Sequence, residues 1–139
     1  MTIDLEMVNA MNRCQIAEME KIGQSLDPGR SDASSTFAQH VLSAQSAIMH
    51  TWQIVAFASV REKDPAAAAM LWKDMGEYCD LALKSLNRLK DIFPGCGTPE
   101  LYDLALDYKL AAERRHLDNL HDSECQHLTI PPGLFPKKN

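Results

Sequence analysis

At 139 residues, with 45% apolar and 24% charged content, the chain is long enough for a single domain with one core. Its 14 basic and 19 acidic side chains give a net charge of -5, which sets aside a broad electrostatic grip on nucleic acid. No apolar run reaches the roughly 18 residues of a membrane span, and Asp4 and Glu6 stand where a signal peptide needs positive charge, so a cytoplasmic protein is expected.

Residues Ile3 to Leu26 place Val8, Met11, Gln15, Met19 and Ile22 on one stripe, with Met7 and Cys14 beside it, which predicts helix one with a Met-rich core face. Pro28 and Gly29 stop it, and Ser31, Asp32, Ser34 and Ser35 offer an N-cap for the next helix. The short connection makes helices one and two antiparallel neighbours.

Ala33 to Val60 contains no Asp, Glu, Lys or Arg. Phe37, Val41, Ala44, Ile48 and Val55 recur at helical spacing, and Leu42, Met49, Trp52 and Ala56 repeat the pattern one position round. This predicts a central helix buried on more than one side. Its polar residues, Gln39, Ser43, Ser46, His50 and Gln53, fall on one line without charge. A helix face open to water normally collects Lys and Glu, so a neutral line points to contact with another helix, subunit or ligand.

Asp64-Pro65 reads as an N-cap with proline at the first helical position, opening a third helix whose stripe is Leu71, Met75, Tyr78, Ala82, Leu86, Leu89 and Phe93. Carried to Phe93 it is about 29 residues, or roughly 43 Å. Gly76 inside it implies a crowding neighbour, either another helix or an aromatic such as Trp72 or Trp52. Pro94 to Gly97 break the helix, and Thr98-Pro99-Glu100 caps a fourth running to about His127. Leu101, Leu104, Ala105, Tyr108 and Ala112 form its apolar side, with Leu106, Leu110, Leu117 and Leu120 adjacent. The sequence LTIPPGLFPKKN then reads as an extended tail, with Leu134 and Phe135 as apolar anchors. The fold expected is all-α, an up-and-down four-helix bundle over 1–128 followed by a Pro-rich tail over 129–139.

Chemical leads concentrate in helix four. Glu113 with His116, and Glu124 with His127, are two ExxH pairs, but the second ExxH helix and the single glutamates of a di-iron bundle are lacking. His121 and Cys125, four residues apart, are two potential ligands and not a site. Cys14, Cys79, Cys96 and Cys125 form no CxxC pair, so reduced thiols, no metal and no cofactor are expected.

The stretch RRHLDNLH, Arg114 to His121, resembles the arginine, spacer, histidine motif of HEPN-type ribonucleases, a family of all-helical domains. The resemblance implies metal-independent RNA cleavage at a dimer cleft. In that role Arg114 or Arg115 stabilises the phosphate and His121 acts as acid or base, with geometry favouring Arg114 because seven residues return to one helix face and six do not. Gln39-His40-Val41-Leu42 resembles the H-x-L of four-helix histidine phosphotransfer domains, although Ser43 and Ala44 replace the lysine and glycine that follow there. The leading expectation is a non-catalytic bundle that works by contact with another protein or a second copy of itself, through Gln39, Ser43, Ser46, His50 and Gln53.

Overall fold

The computed structural model describes residues 4–127 and contains four helices: α1 (Leu5–Ser25), α2 (Ala33–Arg61), α3 (Pro65–Leu89) and α4 (Thr98–His127). No strand occurs among the described residues. The tail expected over 129–139, with Leu134 and Phe135, lies outside them. Connections of three to eight residues between helices of 21 to 30 residues force each helix antiparallel to the one before, so the expected all-α up-and-down bundle is the fold.

Local chemistry accounts for the starts. The Asp4 carboxylate accepts from Met7 N–H at 3.1 Å, and Asp64 accepts from Ala66 N–H at 3.1 Å with Pro65 following it. Asp32 precedes α2 without a side-chain capping bond, so the serine and aspartate choices there leave the helix uncapped by side chain. Thr98 is a correction: its hydroxyl donates back to the Phe93 carbonyl at 3.4 Å rather than capping α4, and the first main-chain bond runs from Leu101 N–H to Gly97 O. Gly95 and Gly97 take φ of +82° and +80°, which L side chains rarely adopt.

Packing corrects three further expectations. α3, not α2, is the most enclosed helix: Ala68, Trp72, Met75, Tyr78, Cys79, Ala82, Leu86 and Leu89 are all buried, and α1, α2 and α4 all pack on it. α2 buries one stripe only, Phe37, Val41, Ala44, Ile48, Thr51 and Val55, while Leu42 and Met49 of its second apolar line are 59% and 41% exposed. α1, α3 and α4 pack on α2 and none covers the side opposite α3, so an apolar arc wider than that contact stays in water. α1 is turned by one position: Asn12, Ile16, Met19 and Gly23 face inward and Met11 is 65% exposed. Asn12 tolerates burial because its amide donates to the Thr51 hydroxyl, which in turn donates to Ala47 O at 2.6 Å.

α3 ends four residues earlier than Phe93, and at 25 residues it is about 37 Å long. Ile92 and Phe93 both donate to Leu89 O, and the turn folds Phe93 back to stack on Phe37 with ring centroids 4.5 Å apart. Of the two neighbours expected at Gly76 it is the adjoining helix that is found, Glu113 and Ala112 of α4 and not Trp72 or Trp52, and the approach is ordinary van der Waals contact.

α1 and α4 do not touch, so the bundle is a rhombus with α2 and α3 across its short diagonal. Each of those two helices therefore presents an outer face between α1 and α4.

Candidate interaction surface

The outer faces of α3 and α2 differ in chemistry. Over α3 lies a groove of about 500 Å³ bordered by Arg13, Lys73, Glu77, Asp80, Lys109 and Glu113. Its charges engage one another: Arg13 reaches Glu77 at 3.8 Å, Asp80 binds Lys84 and Lys109 at 3.0 Å each, and Lys109 lies 4.0 Å from Glu113. The two ammonium groups hold the Asp80 carboxyl below the usual carboxylate range. At the α1–α3 seam the Arg88 guanidinium and the Ser85 hydroxyl do the same for Glu20.

The α2 face carries no charge until Arg61. Gln39, Ser43, Ser46, His50 and Gln53 are all exposed, and helical spacing makes them its crest, continued by Phe57 at 52% exposure. On one side of the crest stand Leu42, Met49 and Val60; Val60 is 85% exposed. On the other, Val8, Met11, Gln15, Ala47, His50 and Ile54 line a groove of about 350 Å³ between α1 and α2. The crest's polar groups are only lightly engaged within the chain: Ser43 donates to Gln39 O at 3.1 Å, and Arg61 stacks over Phe57 at 4.3 Å.

Helical spacing identifies the polar crest but places Leu42 and Met49 in the core, whereas they flank the crest in water. The available signal was the width of the α2 apolar arc, too broad for the neighbours that four helices provide.

The helix-four leads are dispersed. Arg115 is exposed, with its guanidinium over Trp52 at 4.9 Å and Trp72 at 4.7 Å, and Tyr108 packs on Trp52 at 4.8 Å. His116 spends Nδ1 on the Ala69 carbonyl at 2.8 Å, which ties α4 to α3, and Glu113 turns to Lys109. Arg114 and His121 are exposed, and His121 Nε2 lies 3.7 Å from Cys125 Sγ. Among the described residues no three His, Cys, Asp or Glu side chains converge on a metal position; the His127 side chain lies outside them. Cys14, Cys79 and Cys96 are free thiols, and burial pushes the Cys79 thiol up to about 12, far from a reactive thiolate. His40, the residue of the phosphotransfer resemblance, is half-buried. No helix among the described residues is long and apolar enough to cross a membrane.

Comparison with protein-family models, with curated proteins and with solved structures returns no match.

Proposed function

We propose that this protein is a non-catalytic helical bundle that works through protein–protein contact, with the outer face of α2 as the contact surface. The observation carrying the reading is that a 29-residue helix exposes a face without charge, a hydrogen-bonding crest between apolar flanks. Ser, Gln and His enter a contact with less desolvation cost than Lys or Glu, and they fix its register by directional bonds. Interface centres are likewise depleted of charge and rich in Met and aromatic residues. The free thiols at Cys14, Cys79 and Cys96 suit a reducing compartment, so the proposal places the chain in the cytoplasm.

The test is a native-cell pull-down with the parent chain, with Ser46→Arg and with Lys73→Glu on the opposite face. Loss of the recovered complex in Ser46→Arg alone supports the reading. A complex unchanged by Ser46→Arg, from a variant that remains helical, refutes it for any partner other than a second copy, which sedimentation of the same variant decides.

A second reading, metal-independent RNA cleavage in the manner of HEPN ribonucleases, draws on the exposure of Arg114 and His121 one heptad apart on α4. RNA left intact by the parent chain over a range of substrates retires it. Cleavage abolished by His121→Ala and by Arg114→Ala, with helicity kept, establishes it.

A further inference from the structure

We infer that the partner of the α2 face is a second copy of this chain, packed with its own α2 antiparallel about a twofold axis at the level of residue 48. The inference rests on the contact-surface reading above and names its occupant.

The crest positions mirror one another about that level: 46 and 50 stand two residues either side, 43 and 53 five, and 39 and 57 nine. Any helical stripe has some such symmetry; what is particular here is the chemistry of the pairs. The N-terminal half of the crest carries Gln39 and then small Ser43 and Ser46, and the C-terminal half carries large His50, Gln53 and Phe57. An antiparallel twofold sets Ser46 against His50 and Ser43 against Gln53, each a small hydroxyl opposite a longer hydrogen-bonding side chain. Gln39 meets Phe57 with Arg61 stacked over its ring at 4.3 Å, an amide against an aromatic ring and a guanidinium. A parallel pair sets His50 on His50 and Ser46 on Ser46, large against large and gap against gap. The antiparallel arrangement is isologous, so it closes at two copies and leaves no matching face unused.

Charge and area agree. The chain has a net charge of -5, so its charged faces repel a second copy, whereas this face contributes no repulsion. α2 is 29 residues, about 43 Å long; with its flanks it makes a strip roughly 20 Å wide, burying roughly 800 Å² per copy. That is the size of a standard stable interface.

Disulfide trapping reads the register directly. In a Cys14→Ser, Cys96→Ser, Cys125→Ser background, Gln39→Cys chains are mixed with Phe57→Cys chains and oxidised. A mixed cross-link is expected, with neither chain cross-linking to itself. In the antiparallel pair two copies of position 39 are about 27 Å apart along the axis, beyond the roughly 7 Å that a disulfide spans. A self-cross-link of either chain overturns the antiparallel register. As a second measurement, Ser43→Arg alone is expected to sediment as a monomer, and adding Gln53→Glu to the same chain is expected to restore the dimer. These positions are ten residues apart and cannot pair within one helix. Failure of that rescue, with helicity kept, counts against the register. A parent chain monomeric at all concentrations overturns the second-copy inference altogether. If native-cell recovery of a different protein is then lost on Ser46→Arg, the contact-surface reading survives without it; if that too is unaffected, both fall.

Discussion

Two buried glycines on helices, Gly23 and Gly76, make a matched pair for a prediction, because the backbone gain from Gly→Ala is the same at both and the surroundings are opposite. Replacing a helix-interior glycine by alanine stabilises by about 1 kcal/mol through the lower conformational freedom of the unfolded chain. At Gly76 the new Cβ lies 3.8 Å from Glu113 Cγ and 3.9 Å from Ala112 Cβ, ordinary contact that adds packing to that gain. Gly76→Ala is therefore expected to stabilise by about 1 kcal/mol, raising Tm by about 4 °C for a chain of this size. At Gly23 the Cβ meets Leu89 Cδ2 and Phe37 Cε2 at 2.9 Å each. Leu89 can turn its methyl ends, but Phe37 is stacked on Phe93 and does not yield without breaking that pair. Overpacking of this kind costs about 1–3 kcal/mol, so Gly23→Ala comes out neutral to about 2 kcal/mol destabilising. Urea unfolding followed by circular dichroism measures both, with unchanged m-values confirming a two-state comparison. A destabilised Gly76→Ala refutes the reading of the α3–α4 seam, and a Gly23→Ala stabilised as much as Gly76→Ala refutes that of the α1–α2–α3 junction.

Tyr78 is buried, and its hydroxyl has no hydrogen-bond partner among the described residues, so Tyr78→Phe is expected to be neutral or to stabilise by about 1 kcal/mol. A loss of more than about 1 kcal/mol in urea unfolding shows instead that a buried water satisfies the group. Arg115→Ala uncovers the Trp52 and Trp72 rings, and a red-shifted tryptophan emission with a loss of about 1–2 kcal/mol is expected; unchanged emission refutes the stacking. Glu20 has a folded pKa below its unfolded value, first through the hydrogen bond from Arg88, so its stabilisation is present above the unfolded pKa and lost as pH falls through the folded one. Urea midpoints measured from pH 6 downward should therefore fall less steeply in Glu20→Gln than in the parent chain, and equal slopes refute the linkage.

Signals confined to a few neighbouring residues were legible in the sequence. Asp64 with Pro65 set the start of α3, Pro28 with Gly29 separated α1 from α2, and the period of Phe37, Val41, Ala44, Ile48 and Val55 identified the buried stripe of α2. Each depends on backbone sterics or helical repeat, which operate within a turn or two. The uncharged crest from Gln39 to Gln53 was legible for the same reason, because spacing alone places those residues on one line.

Tertiary structure decided what local pattern leaves undetermined, namely which apolar lines find a neighbour. Met11 and Asn12 are adjacent, and periodicity favours the methionine as core; the bond from Asn12 to Thr51 of α2, invisible until the two helices meet, turns the polar residue inward. Phe93 leaves α3 because Phe37, 56 positions earlier in the chain, holds its ring. Leu42 and Met49 remain in water because α1 and α4 flank α2 without closing over it. His116 is tied to α3 by the Ala69 carbonyl, and exposed Arg115 lies over Trp52 and Trp72. In every case the deciding partner is distant in sequence, so its free energy enters only once the whole bundle has formed.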